Sequence, residues 1–294
     1  MTAIAGLLVA ISISDAPDRA RLGFPQREID RALLSLCTAL VRAGAEIAYG
    51  GNLEPSGYTF KIFRHLAGAY AGSRDTPFHH FLPEPVVRTT RYENLLAALR
   101  EGNGTVRTEI ARGAEFVPAR PSGGGIRLGD DVVVDDAGLA AWLNHAPHQD
   151  AASAHTAARH MVTARASARV VLGGKMGVLA DPRDAYQGAM PGVAEEAIMT
   201  LEEQKPLIAL GAFGGAARDI AIALGLLVPE AMVPRPAQHP GYGAAIARVE
   251  TLRDRIPDEL RDRLIKVADN DQAEQTAFQV VSLINEWLSI TSLS

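Results

Sequence analysis

The chain has 294 residues, of which 47% are apolar and 21% charged, and its 29 basic and 34 acidic side chains give a net charge of -5. This mixture argues for a globular chain with a full core and against disorder, and the acidic balance offers no broad cationic face to a nucleic-acid backbone. A single cysteine, Cys37, excludes an intrachain disulfide framework, and no stretch approaches the roughly 20 apolar residues that cross a bilayer.

The apolar stretch Ile4 to Ile13 has no basic residues before it and no small-residue cleavage site after it, so it reads as a first buried strand and the protein as soluble and cytoplasmic. Its core, Leu7 to Ser14, turns polar at the end, as a central parallel strand does on reaching a site, and delivers Ser12 and Ser14 there. Pro25 opens a helix with Ile29, Leu33, Leu36, Leu40 and Val41 on one face, ending at Gly44; Cys37 lies in it as a small core residue. Ile47-Ala48-Tyr49-Gly50-Gly51 is a second strand, followed by a polar loop and a helix from about Thr59 to Tyr70. A third strand runs from Phe78 to Leu82.

Residues 84–147 hold a helix over Tyr92 to Leu99, a short strand around Glu115-Phe116-Val117, a flexible Gly123-Gly124-Gly125 and a helix over Leu139 to Leu143. With no long Pro- or Ser-rich linker, residues 1–294 read as one domain with an elaboration at about 84–150. A helix over Ala151 to Ala166 leads into the strand Arg169 to Leu172 and a second glycine pair, Gly173-Gly174. Pro191 opens a helix over Val193 to Glu203, and the strand from Pro206 to Leu210 ends in Gly211-Ala212-Phe213-Gly214-Gly215. A final helix, at about 272–289, has helical apolar spacing and packs on the sheet flank or on a second subunit. Strand and helix alternating in this way predict an α/β, Rossmann-like fold with a mostly parallel, doubly wound sheet and helices on both faces.

Each glycine pair alone also serves plain turn geometry, but three strand ends with glycine clusters at one sheet edge point to a pocket for a phosphorylated ligand. No G-x-x-x-x-G-K-[ST] is present, and Ser12-Ile13-Ser14-Asp15 stands where a G-x-G-x-x-G would follow the first strand, so neither an ATPase phosphate loop nor an ordinary nicotinamide dehydrogenase fits. Lys175 follows the second pair as a point charge for phosphate, or as a surface lysine. Asn52, Ser56 and Thr59 could serve ribose or phosphate as well as turn and N-cap duties, and Tyr49 and Phe213 could stack on a base. His145, His148, His155 and His160 lack the spacing of a metal set, and of His79 and His80, on alternate strand faces, at most one points to the site; no metal and no cofactor is expected.

The string Gly173-Gly174-Lys175-Met176-Gly177, then Met190-Pro191-Gly192-Val193-Ala194-Glu195-Glu196, with Ser-x-Ser after strand one and Tyr49-Gly50-Gly51 after strand two, resembles the SLOG superfamily. That superfamily joins the lonely-guy phosphoribohydrolases to nucleotide-sensing modules, and the resemblance is strongest to its standalone prokaryotic branches. It implies a nucleotide-type small-molecule partner, no nucleic acid or membrane partner, and a homo-oligomer. In the hydrolases an arginine before the Pro-Gly-Gly strand and a glutamate after it are catalytic. Arg159 matches the first by position, and Glu195 or Glu196 the second.

The hydrolase pattern Pro-Gly-Gly-x-Gly-Thr-x-x-Glu is broken here: Leu172 replaces proline, no Gly-Thr follows, and a loop from Val178 to Ala189 intervenes. The resemblance therefore implies first a binding or sensing domain for a nucleotide or ADP-ribose-type ligand, held by Gly50-Gly51, Gly173-Gly174, Gly192 and Gly214-Gly215, with Ser12, Asn52 and Glu195 at the ribose. A nucleotide N-glycosidase using Arg159 and Glu195 or Glu196 is the alternative. A third reading is a structural or interaction protein, in which the two glutamates are first-turn acids favoured by the helix dipole and Arg159 is a solvated helix residue.

Overall fold

One sheet of nine strands organises the chain. The computed structural model describes residues 4–70, 77–102, 104–145 and 149–292. Strands β1 (Leu8–Ser14), β2 (Glu46–Gly50), β3 (Phe78–Pro83) and β4 (Val106–Arg112) lie parallel, each outward of the last. The edge then continues antiparallel through β5 (Glu115–Ser122), β6 (Gly125–Leu128) and β7 (Asp131–Val133). On the other side of β1 the chain adds β8 (Ala168–Gly173) and β9 (Leu207–Leu210), both parallel. The complete order is β7-β6-β5-β4-β3-β2-β1-β8-β9, an α/β, Rossmann-like arrangement.

Helix α1 (Gln26–Arg42) shows why one face of the sheet is covered as it is. Its Ile29, Leu33, Leu36, Cys37 and Leu40 recur at three- and four-residue spacing and are fully buried, which pushes the Cys37 thiol up to about 12. α2 (Tyr58–Tyr70) packs beside it. The elaboration contributes α3 (Glu84–Arg88), α4 (Tyr92–Glu101) and α5 (Asp136–Asn144), which close a second apolar cluster around Trp142, Leu95 and Ile126. α6 (Ala151–Arg165), capped by the Asp150 carboxylate on the Ser153 N–H, and α7 (Gly192–Glu202) cover the opposite face over β1, β2, β3 and β8. α8 (Gly215–Ala223) follows β9, and α9 (Pro240–Glu250), α10 (Asp258–Ala268) and α11 (Ala273–Thr291) complete the chain, with α11 laid against α1.

Three departures from the sequence reading have local causes. The sequence pattern does not predict β4, because Arg107 and Glu109 interrupt its apolar run; Glu109 is nevertheless buried, its carboxylate accepting from Arg165 Nη1 at 2.8 Å. β5 extends well past Val117, with Pro118 opposite Glu109 of β4 and Pro121 opposite Ile126 of β6, although two prolines in a strand paired on both sides break its sequence pattern, and the glycines after it form the β5–β6 hairpin turn. α9 and α10 also lie in a stretch where the sequence suggests no element.

Candidate functional site

β1 is where the strand order reverses, with β2 on one side and β8 on the other, so the chain leaves the carboxyl ends of β1 and β8 in opposite directions and a crevice opens above them. A cleft of about 380 Å³ lies there, within the range typical of small-molecule sites. Ser12, Ser14, Tyr49, Gly50, Gly51, Asn52, Arg159, Lys175, Gly192 and Glu196 all line it. Thr59, Gly173, Gly174, Glu195, Gly214 and Gly215 do not.

The two adjacent glutamates diverge because successive helical residues sit about 100° apart. Glu195, 4% exposed, turns toward α6, where its carboxylate accepts from Thr156 Oγ1 at 2.6 Å and from Arg159 Nη1. Glu196 turns into the cleft. Its Oε2 accepts from the Ser12 hydroxyl and from Arg169 Nη1 at 3.0 Å, while Oε1 lies 4.0 Å from Arg159 Nε and faces the open space. Glu195, expected at the ribose, is therefore the partner that orients Arg159, and Glu196 is the carboxylate a ligand can reach. Ser12 is committed as well: its proton goes to Glu196 and its oxygen accepts from Arg169 Nη1 at 2.7 Å, so it cannot donate to a ligand as expected.

Arg159 is a built part of the wall rather than a solvated helix residue. Its Nη2 donates to the Gln187 carbonyl at 2.9 Å, and its guanidinium lies against Gly188 and Gly192, where a Cβ on Gly192 would stand 2.8 Å from Nη2. Gly192 begins α7, and Pro191 before it supplies no side-chain cap, so the first-turn N–H groups at Gly192 and Val193 meet the cleft uncapped. Lys175 adds a second cation, with one ammonium hydrogen given to the Ala185 carbonyl at 2.7 Å.

The glycine pairs themselves do not form the expected cradle of free amides. Gly51 N–H donates to the Phe81 carbonyl at 3.3 Å, Gly174 N–H to the Ser14 carbonyl at 2.9 Å, and Lys175 N–H to Ser14 Oγ at 3.0 Å. At the third turn Gly214 N–H donates to the Gly211 carbonyl and Gly215 N–H to the buried Asp18 carboxylate at 2.7 Å, so an internal anion already occupies the α8 N-terminus. Burial pushes the Asp18 carboxyl above its usual value, against the pull of the Gly215 hydrogen bond. These glycines serve packing: a Cβ on Gly215 would stand 2.6 Å from the Gly174 carbonyl oxygen. Thr59 spends its hydroxyl on the Asn52 carbonyl at 2.7 Å, and Asn52 Oδ1 accepts from Glu54 N–H at 3.3 Å, which shapes the loop at the cleft mouth.

The apolar part of the lining comes from Tyr49, Phe81, Pro83, Val86 and Val162. Phe213 instead packs on Phe24 in the core, with ring centroids 5.5 Å apart. The Val178 to Ala189 loop closes one side: Asp184 accepts from Met176 and Val178 N–H, Tyr186 pairs with His239 at 2.8 Å, and Ala185, Tyr186 and Gln187 line the space. His155 lines the cleft one turn before Arg159, and burial together with that cation pulls its pKa down to about 4. His79 pairs with Glu46, and His80 is buried between Phe63 and Phe78. His148 lies outside the described residues, among which no three His, Cys, Asp or Glu side chains are grouped to hold a metal ion.

Sequence reasoning missed Arg169, Asp18, Asp184 and His155 as parts of the site or its support. Arg169 had a visible signal, a full charge inside the apolar run Ala168-Arg169-Val170-Val171-Leu172. No curated protein matches the chain. A family model described as SLOG cluster2 matches residues 3–259, and the chain belongs to that family.

Proposed function

We propose that the cleft binds a nucleotide or an NAD-derived, ADP-ribose-type ligand and that the protein acts as a binding or sensing domain. One observation carries this reading: an anion-attracting end, made of the uncapped α7 first turn, Arg159 and Lys175, lies beside a carboxylate with an open oxygen, Glu196, in a cleft that also holds the apolar side chains of Tyr49, Phe81 and Val86. A phosphate fits the first end, sugar hydroxyls fit Glu196 Oε1 and the Ser14 hydroxyl, and a base fits Tyr49, Phe81 and Val86. About 380 Å³ suits one nucleotide unit, with any further groups running out past the exposed Asn52 and Glu54.

Calorimetric titration with AMP, ADP-ribose, NAD and cyclic ADP-ribose tests the reading. At least one is expected to bind with micromolar affinity, and no heat from any of them contradicts it. The position of Glu196 also favours a second reading, hydrolysis of a base–ribose bond, since a carboxylate can stabilise the oxocarbenium-like centre that forms as the base departs. Release of free base from a nucleoside monophosphate panel, lost in Glu196→Gln and retained in the exposed-site control Glu230→Gln, would support the hydrolase; no release by the wild-type chain removes it.

A further inference from the structure

Arg169 stands where a strand of this kind needs only an aliphatic residue. It is 2% exposed, second in β8 beneath the cleft-lining Ser12 and Glu196, with Ala168 and Val170 buried on either side of it. A guanidinium is costly to hold there unless each of its N–H groups is answered. Nε donates to Thr200 Oγ1 at 2.8 Å, Nη2 to Thr163 Oγ1 at 2.8 Å, and Nη1 to Ser12 Oγ at 2.7 Å and Glu196 Oε2 at 3.0 Å. Both threonines spend their own protons one helical turn back, Thr163 on the Arg159 carbonyl and Thr200 on the Glu196 carbonyl, so each presents a lone pair to Arg169. The guanidinium thus grips the turn after Arg159 and the turn after Glu196 at once.

We propose that Arg169 is a positioning residue, which pins Glu196 Oε2 and the Ser12 hydroxyl beneath the cleft so that Glu196 Oε1 alone is presented to the ligand. The proposal rests on the reading of the cleft as a ligand site. The sole ion-pair partner of Arg169 among the described residues is Glu196, the one carboxylate of the pair that reaches the cleft; a purely structural tie between α6, α7 and the sheet would not require that choice.

The test is a double-mutant cycle with AMP as probe, read by calorimetry on the full chain: wild type, Arg169→Met, Glu196→Gln and the double variant, with Arg169→Lys in both backgrounds should the methionine variant not fold. If Arg169 acts through Glu196, Arg169→Met weakens AMP at least tenfold in the wild-type background and less than threefold in the Glu196→Gln background. A further tenfold loss in the double variant, or wild-type affinity in Arg169→Met, overturns the proposal. Crystal structures of the ligand-free wild type and Arg169→Lys or Arg169→Met read the same point without a ligand. Glu196 is expected to leave Ser12 and swing toward Arg159 in the variant. Glu196 unmoved on Ser12 overturns the positioning role whatever the ligand proves to be. A wild type that takes no AMP counts against the nucleotide reading, and the crystal structures then decide the role of Arg169 by themselves.

Discussion

Glu195 and Glu196 differ by one position and face different neighbours, which sequence could not resolve: both are first-turn acids, and only the rotation of α7 against α6 decides which one meets Arg159 from behind. Gly192 is the residue through which the anion end is most simply disturbed. Its backbone conformation suits any residue, and the three atoms nearest a Cβ there all belong to the Arg159 guanidinium. Gly192→Ala should leave the melting temperature within a few degrees while weakening a phosphorylated ligand about fivefold, roughly 1 kcal/mol, by calorimetry. His155 makes a second prediction. Its pKa of about 4 lies below that of an unfolded histidine, so between about 6.5 and 4 the unfolded chain binds more protons at this position and stability falls as pH is lowered. Thermal melts across that range should therefore show a shallower acid loss in His155→Asn than in wild type, and identical slopes would sink the assignment.

Among the elements, the helix N-termini divide the labour. α8 follows a glycine turn that looks like a phosphate site in sequence, yet Asp18, brought up by the segment after β1, already sits on it. α7 begins with an ordinary Pro191-Gly192 and is left open. At Gly215 the glycine signal marks close approach of backbone to backbone, as its positive φ (+68°) and its contact with Gly173 of β8 illustrate. Gly215→Ala should accordingly cost about 2–3 kcal/mol of stability in denaturant melts and leave the ligand affinity of the folded fraction unchanged. An affinity loss without a stability loss would put the phosphate at α8 after all. The parallel strands other than β4 were legible because their apolar runs are continuous. β4 was not legible and β5 only over Glu115-Phe116-Val117, because a charge held by Arg165 and two prolines inside β5 broke the patterns that mark strands.

For the whole molecule, alternation of strand and helix is enough to anticipate the sheet class, and the polar or glycine-rich strand ends a pocket at one sheet edge; the strand order that puts the crevice between β1 and β8 is not written in either pattern. The sequence places the final helix on the sheet flank or on a second subunit, and within the chain α11 buries Val280, Leu283, Ile284 and Trp287 against α1 and α10, beyond the end of the stretch that the family model matches. Trp287→Ala should therefore cost about 3–5 kcal/mol in the folding equilibrium, against a change within about 0.5 kcal/mol for Phe278→Ser, a residue 76% exposed on the same helix.

The most direct test of the cleft as a nucleotide site is a crystal structure of the full chain grown with AMP. The phosphate is predicted within hydrogen-bonding distance of the Gly192 and Val193 N–H groups, with a ribose hydroxyl on Glu196 Oε1. A nucleotide seated elsewhere on the sheet edge, or a cleft left vacant at saturating nucleotide, would contradict it.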